Sequence, residues 1–287
     1  MGFLFTSASK ERTVALFDIG SDCVRGAVIK IPTGANALPT IVKSTSVDVA
    51  YREELDYNLY LQDMLKALSS ACENIYNAKL GTINEVNCIM ASPWYLSETR
   101  TIKIKRDAPF VFTQKMASDL LTKEITTLSE EYKKRYGDSS VLPEVIEHHV
   151  MSVLLNGYPV DDPMGKRCST LDINMVASLS SKDCLDGIKK LMSKSFTHAE
   201  VSFSSFIVSS YFVIRDKYPE LDSYLMINIG GEITDVGIIS GGILKASLSF
   251  PFGKKTFFKS LTKKLGGKLR DAEEMMTLYD HDNLDET

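Results

Sequence analysis

The sequence predicts an α/β protein with two related halves and a small α/β insertion within the first half. Two observations lead to this fold class. Near the start, a polar turn at 19–22 that contains Gly20 joins two short apolar runs, and a third strand candidate follows at 41–48. After residue 223, the same order of strand, glycine turn, strand, turn and strand occurs again. Because one arrangement occurs twice, we expect the two halves to be copies of one structural unit.

The first half continues with a helix and a buried strand. Apolar residues recur at helical spacing from Leu61 to Ile75, which predicts a helix. A buried strand follows from Val86 to Ala91. A doubly wound nucleotide-binding fold begins with strand, helix and strand, and its glycines open the helix. Here the first glycine turn joins two strands instead, so the sequence does not favour that fold.

Residues 93–167 do not continue this order of strands and helices and are interpreted as an insertion. Thr101 to Lys105 alternates apolar and basic residues, which is typical of a half-exposed strand. Thr113 is positioned to cap a helix that runs to about Tyr136. An exposed edge strand can add a neighbour's strand or a partner peptide, so we expect the insertion to carry protein contacts. The alternative is that the strand's two lysines only protect a sheet edge.

The main pattern then resumes. The sequence predicts a strand from Arg167 to Ala177, a helix opened by Ser181, a short strand at 201–203 and an apolar helix from Phe206 to Ile214. These elements lead into the second glycine turn, Gly230-Gly231-Glu232.

Composition limits the classes of function. The formal net charge is −4 and no long basic run occurs, which argues against binding to nucleic acid. The five cysteines are scattered and form no CxxC pair, which is typical of a reducing compartment and gives no metal site. No apolar stretch approaches the length of a membrane helix. We therefore expect a cytoplasmic protein.

The two glycine turns are candidate phosphate-binding sites. A glycine in a hairpin turn lets backbone N–H groups approach an oxyanion, since no Cβ blocks the way. Two such turns facing each other across a cleft would clamp a polyphosphate. Ser21 can add a hydroxyl donor, and Asp18, at the end of its strand, is placed to hold hydrated Mg²⁺. Either turn alone is a weak signal, but the pair at matching positions predicts a nucleotide site.

The residues of these turns resemble a known superfamily. Phe-Asp-Ile-Gly-Ser at 17–21 resembles the first phosphate motif of the actin, Hsp70 and sugar-kinase superfamily, and 227–235 resembles its second. The insertion is similar in place and size to subdomain 1C of the bacterial division actin FtsA. Residues 156–165 and 250–253 also follow the FtsA order. The pilus-assembly relative PilM shares that fold, and the opening Phe3-Leu4-Phe5 suits it too.

This resemblance implies an actin-like ATPase fold with duplicated β-β-β-α-β-α, ribonuclease-H-like domains and a 1C-type insertion. It assigns residues 1–92 and 168–205 to subdomain 1A, 93–167 to the 1C-like insertion, 206–252 to part of subdomain 2A, and 253–287 to the start of subdomain 2B. Relatives continue with more of 2B and 2A, a glycine-rich turn that holds adenosine, and an amphipathic membrane helix. We therefore expect the sequence to be a fragment or to have lost much of its nucleotide site.

The resemblance also implies ATP and Mg²⁺ as cofactors, with Asp18 as the metal residue. The predicted cofactor-binding residues are Asp18, Gly20, Ser21, Asp22, Gly230, Gly231, Glu232, Thr234 and Glu273. Two of the motif positions depart from the family, because Asn228 stands in place of an aspartate and Glu232 in place of a third glycine. Residues 203–208 offer only serines where related ATPases often have an acidic or amide side chain. We expect at most a slow ATPase and assign no catalytic residue.

The function that this resemblance implies is assembly. An FtsA-type protein would polymerise, as a homo-oligomer or filament, and would link division proteins to the membrane from its cytoplasmic face, with indirect membrane association and no nucleic acid. The alternative is a PilM-type adaptor of type IV pilus assembly that binds a peptide of an inner-membrane partner. A small-molecule kinase of the superfamily is less favoured, since no second acidic cluster could deprotonate a substrate hydroxyl.

Overall fold

The structure, a computed structural model, describes residues 12–32, 38–52, 56–136, 142–265, 271, 272, 274 and 276. The strands are β1 Arg12–Ile19, β2 Cys23–Ile31, β3 Thr40–Asp48, β4 Glu85–Met90, β5 Leu96–Val111, β6 Pro143–Leu155, β7 Tyr158–Pro159, β8 Arg167–Ser181, β9 Glu200–Ser205, β10 Tyr224–Ile229, β11 Thr234–Ser240 and β12 Ile243–Phe250. The helices are α1 Tyr57–Tyr76, α2 Gln114–Tyr136, α3 Lys182–Ser195, α4 Phe206–Lys217 and α5 Lys254–Leu265.

The first sheet has five strands in the order β3-β2-β1-β4-β9. Strand β2 is antiparallel to both β1 and β3, whereas β4 pairs parallel with β1 and β9 pairs parallel with β4. Alternation along β1 places Ala15, Phe17 and Ile19 on one buried face. Helix α1 lies over that face, because Gly26 on β2 leaves a hollow: a Cβ there would lie 2.8 Å from Cδ1 of Ile75. The predicted hairpin, third strand, helix and buried strand are all present.

The insertion has a sheet and a core of its own. Its four strands lie in the order β5-β8-β6-β7, with α2 packed beside them. Thr113 caps α2, since its Oγ1 accepts from the N–H of Met116 at 3.2 Å. The buried apolar residues of this core are Ile102, Phe112, Ala117, Leu128, Tyr132, Leu155, Cys168, Leu171, Ile173, Met175, Ala177 and Leu179.

Strand β8 belongs to the sheet of the insertion, because it pairs with both β5 and β6. The subdomain boundary at residue 167, with 168–205 in subdomain 1A, stays a prediction. The sheet of the insertion therefore extends from Leu96 to Ser181. The short strand predicted at 101–105 is the middle of the much longer β5, which lies at the edge of this sheet as expected.

The second half repeats the start of the first. Strands β10, β11 and β12 form an antiparallel sheet in that order. Its pairing matches the first sheet, since Ile229 pairs with Thr234 across the second turn as Ile19 pairs with Val24 across the first. Helix α4 follows β9 and packs against β4, β9 and β11. The first sheet, its helices and one side of the second sheet thus share one core, which includes Met226. None of the described helices is both long and apolar enough to cross a membrane.

Candidate functional site

The two glycine turns touch each other. Each is closed by its own backbone bond, from the N–H of Gly20 to the carbonyl of Cys23 at 3.0 Å and from the N–H of Gly230 to the carbonyl of Ile233 at 2.9 Å. Between the turns, Ser21 Oγ accepts from the N–H of Gly231 at 2.8 Å and from that of Glu232 at 3.3 Å. The hydroxyl oxygen of Ser21 therefore accepts the hydrogen bonds that the second turn would otherwise donate to an oxygen of a bound anion.

Glycine allows this close approach. A Cβ on Gly231 would lie 2.6 Å from Cβ of Asp22, and one on Gly230 would lie 3.0 Å from Ser21 Oγ. A Cβ on Gly253 would lie 2.4 Å from the carbonyl oxygen of Gly231. The two turns and the start of α5 are therefore in direct contact, which a side chain at any of these three glycines would disturb.

Two ion pairs from the start of α5 hold this arrangement. Lys254 Nζ lies 2.6 Å from Asp22 Oδ2, and Lys255 Nζ lies 3.6 Å from Glu232 Oε1. The backbone N–H groups of the two lysines donate to the carbonyls of Gly230 and Gly231, each at 2.9 Å. We call this set the turn latch, which consists of Ser21, Asp22, Gly231, Glu232, Lys254 and Lys255.

Each charged side chain of the turn latch has a partner of opposite charge, but some of the charged atoms make no hydrogen bond. Burial raises the pKa of the Asp22 carboxyl, but the hydrogen bond and charge of Lys254 outweigh burial, so this pKa lies below its ordinary value. Glu232 and Lys255 are both buried, and within the described chain Glu232 Oε1 and Lys255 Nζ make no hydrogen bond. Removing one partner of such a buried ion pair strongly destabilises the fold, because the other charge is left buried and unpaired. The latch therefore depends on both charges.

A polar cavity of about 130 Å³ lies beside the first turn. Its lining includes Asp18, Asn228 and Lys254. Asp18 Oδ2 accepts from Nη1 of Arg25 at 3.1 Å. Burial raises the pKa of Asp18, and Arg25 only partly offsets this effect. Sites for organic ligands usually have about 300–1,000 Å³, so this cavity is too small for a nucleotide.

These residues do not fit Mg²⁺-ATP in the arrangement described. Asp18, the carboxylate expected to hold hydrated Mg²⁺, is already paired with Arg25. Two of the N–H groups expected to bind phosphate are bonded to Ser21. Binding of ATP and Mg²⁺ at Asp18, Gly20, Gly230 and Gly231 stays a prediction, and it requires the turns to separate.

The structure describes only one of the two remaining predicted site residues. Thr234 Oγ1 donates to the carbonyl of Phe252 at 2.6 Å, and Thr234 is not among the residues that line the polar cavity. Glu273 lies outside the described residues.

Three residues outside the predicted set, Ser92, Trp94 and Asp235, also shape the site. Asp235 is buried and accepts from Ser92 Oγ at 2.6 Å and from Ser249 Oγ at 2.7 Å, which joins the loop after β4 to the second sheet. Trp94 Nε1 donates to the carbonyl of Gly20 at 2.9 Å. Asp235 is the last residue of the second phosphate motif, and Trp94 is the one tryptophan in the sequence, so the sequence could have pointed to both as site residues. Nothing in the sequence distinguishes Ser92 from the other serines.

A second cavity, of about 330 Å³, lies between the first sheet and the insertion. We call it the apolar groove; its walls include Tyr57, Trp94, Leu96, Tyr132, Leu179 and Ile233. Ser92 and Ile233 line the apolar groove and the polar cavity alike. A further cavity of about 420 Å³ lies where α1 and α3 end, and no predicted site residue lines it.

Comparison with known proteins supports the fold. No family model matches the chain, and no curated protein matches it. Among solved structures, it is similar to a PilM-PilN type IV pilus biogenesis complex, with 12% identity over 93% of this chain and 69% of that chain and a TM-score of 0.57. It is also similar to a Bacteroides thetaiotaomicron protein of unknown function with an actin-like ATPase fold, with 12% identity over 93% of this chain and 82% of that one and a TM-score of 0.42. The likeness to the PilM structure shows the fold alone, and this fold is the actin-like one that the sequence predicted; it does not reach FtsA.

Proposed function

We propose that the chain is an actin-like assembly adaptor, which holds a peptide segment of a partner protein in its apolar groove and does not turn over ATP. The contrast between the two cavities carries this proposal. The turns that would clamp a triphosphate are bonded to each other, whereas the apolar groove beside them is open and has the volume of a ligand site.

The walls of the apolar groove suit the side chains of a peptide. Tyr57 and Trp94 lie 6.4 Å apart between ring centroids, and the hydroxyl of Tyr132 donates to Glu98 at 2.9 Å. Aromatic walls with a few oriented polar groups are common where extended peptides bind. Trp94 also bonds to Gly20, so the groove and the turn latch share a residue.

Of the two assembly roles, the PilM-type role in type IV pilus assembly is the one we favour. The similar PilM structure is of a complex with PilN, so a protein partner suits this fold. An FtsA-type division polymer built with bound ATP would need the turn latch to open. In this proposal the chain works in the cytoplasm at the inner face of the membrane, where an inner-membrane partner presents its segment.

Binding of the full chain to the PilN-type protein of the same organism tests the proposal. We expect binding with and without Mg²⁺-ATP at equal affinity. Leu96→Gln should weaken it by about fivefold or more, which is on the order of 1 kcal/mol, because a polar amide would replace an apolar wall of the groove. Leu59→Gln, on an exposed part of α1 outside the groove, is the matched control and should change nothing.

Leu96 also packs against the core of the insertion, so Leu96→Gln should melt somewhat below the parent chain; circular dichroism should show both variants folded at the assay temperature, so that lost binding reports on the groove. Failure of the PilN-type protein to bind, a strict need for Mg²⁺-ATP, or equal loss in both variants would each contradict the adaptor function.

A further inference from the structure

A buried cluster of three hydroxyl groups and one carboxylate joins the insertion to the first sheet. Ser97 on β5 and Ser178 on β8 share a hydrogen bond of 2.6 Å, and Ser178 Oγ donates to Ser205 Oγ at 3.1 Å. Ser205, at the end of β9, donates to Oε1 of Glu147 on β6, both from its hydroxyl and, at 2.8 Å, from its backbone N–H. We call these four residues the junction cluster. It connects three strands of the insertion to one strand of the first sheet.

The junction cluster is shielded from solvent. Its three serines are at most 6% exposed, and the side chain of Glu147 is 9% exposed. The second carboxylate oxygen of Glu147 also has a neighbour, since Nε2 of His149 lies 3.2 Å from Oε2. Buried polar groups that all have partners favour one arrangement of the elements around them, because another arrangement would leave some of these groups unpaired.

Glu147 and His149 also contact α4 at two places. Ser205 is the N-cap of α4, since its Oγ accepts from the N–H of Val208 at 3.4 Å, so the Glu147 carboxylate lies at the positive end of the helix dipole. Farther along α4, the ring of Phe212 meets the ring of His149 edge-on, with 4.9 Å between the centroids. Two contacts along one helix fix the angle between α4 and the insertion.

The junction cluster lies behind one wall of the apolar groove. Leu96 and Leu179, which line the groove, pair across β5 and β8, and Ser97 and Ser178 are the next pair in the same register. Because successive side chains of a strand point to opposite faces, the leucines and the serines lie on opposite sides of this pair of strands. None of the four residues of the junction cluster is among those that line the groove.

The facing wall of the groove is attached to the first sheet. It includes Trp94, whose Nε1 donates to the carbonyl of Gly20 after β1, and Tyr57 of α1. One wall therefore belongs to the insertion and the other to the first sheet and its helix. The angle that the junction cluster fixes between these two parts sets the width of the groove.

We propose that Glu147 is a positioning residue for the apolar groove, because it holds the insertion at the angle at which the groove admits a peptide segment. The proposal rests on the adaptor function, which assigns the groove its ligand. Glu147 acts through Ser205 and Ser178 on the wall that contains Leu179. Its side chain suits this role, since the N–H and the hydroxyl of Ser205 both need an acceptor.

The fluorescence of Trp94, the one tryptophan in the sequence, reports on the groove without any partner. Trp94 is 2% exposed, so acrylamide should quench its fluorescence only weakly in the parent chain. Glu147→Ala should raise the quenching constant several-fold, because Ser205 loses its acceptor and the insertion can move away from α4. Glu147→Gln should be quenched as the parent is, since its amide oxygen accepts the same two bonds. Glu144→Ala, on the same strand but in an exposed ion pair with Lys189, is the matched control and should change nothing.

Binding of the PilN-type protein to the full chain is the second measurement. Glu147→Ala should weaken it by about tenfold, whereas Glu147→Gln and Glu144→Ala should bind as the parent does. Val28→Ala, in the core of the first sheet, controls for lost stability: it should lower the melting temperature without changing the quenching of Trp94. If Glu147→Ala does not fold, Ser178→Ala removes a single link of the cluster and should change quenching and binding in the same directions by less.

Quenching of Trp94 that stays at the parent's level in Glu147→Ala would overturn the proposal, as would a rise of equal size in Val28→Ala. Binding by Glu147→Ala at the parent's affinity would overturn it too. If the parent chain does not bind the PilN-type protein but quenching changes as expected, the groove still depends on Glu147 and only the adaptor function fails. If the parent and Glu147→Ala bind alike with unchanged quenching, the adaptor function stands and the positioning role fails.

Discussion

The side chain of Ser21 joins the two glycine turns and so keeps the cleft between them closed. The sequence predicted its hydroxyl as a donor to phosphate. In the structure the oxygen of that hydroxyl accepts from the N–H groups of Gly231 and Glu232, and the carbonyl of Ser21 accepts from the hydroxyl of Tyr60. Burial with three such bonds makes Ser21 part of the core between the two halves.

Ser21→Ala should lower the free energy of unfolding by about 1–3 kcal/mol, because it leaves two buried N–H groups without a partner. Added phosphate or sulfate should restore part of that loss, since an anion can take the place of the missing hydroxyl. Chemical denaturation with and without the anion measures both effects. Ser193→Ala, on the exposed side of α3, is the control. Unchanged stability in Ser21→Ala would show that Ser21 does not join the turns.

Glu232 stands where the family has a third glycine. A carboxylate at this position of an open cleft would place a negative charge beside the bound phosphates. The structure pairs it with buried Lys255, whose Nζ also lies 5.6 Å from the ring centroid of Tyr51. A carboxylate with this partner stabilises the contact between the second turn and α5 instead of facing an open cleft.

At the scale of elements, the insertion depends least on the rest of the chain, because it has a sheet and a core of its own. Its twelve buried apolar residues all lie between Ile102 and Leu179, and β8 lies between β5 and β6 in its sheet. The central strand of a sheet supplies backbone partners on both edges, so the sheet cannot form without it.

Residues 96–181 expressed alone should therefore fold cooperatively, whereas residues 96–166, which lack β8, should not. Thermal melts followed by circular dichroism compare the two fragments. Only the longer fragment should show a sigmoidal transition. If both fragments melt alike, or if the longer one melts without cooperativity, the insertion is not an independent folding unit.

The sequence predicted elements better than contacts between them. Strands β1, β2 and β10 to β12 were predictable because a glycine turn and an apolar run are local signals. The length of β5 was not, since most of its outer residues are polar or exposed and only 101–105 alternates clearly. The turn latch was not predictable either. Its bond from Gly231 to Ser21 joins positions 210 residues apart, and no local pattern reports whether two such turns stand apart or touch.

At the scale of the whole molecule, the contacts between the two halves in the described residues include three that bear on the cleft. The turn latch joins the two glycine turns, Asp235 joins β11 to the loop that holds Ser92, and Met226 of the second sheet enters the core of the first half. An open cleft would have to break the first of these. This closure supports the proposed adaptor function, because the apolar groove remains accessible while the two turns are bonded to each other.

Isothermal titration of Mg²⁺-ATP into the full chain tests the closed cleft most directly. Opening the turn latch breaks two N–H···O bonds that contribute about 0.5–1.5 kcal/mol each, which lowers the apparent affinity by roughly fivefold to 150-fold. We predict weak binding, or none that can be measured, at micromolar protein concentration. A submicromolar dissociation constant would show that the turns bind nucleotide readily, and it would contradict a cleft held shut by the protein's own side chains.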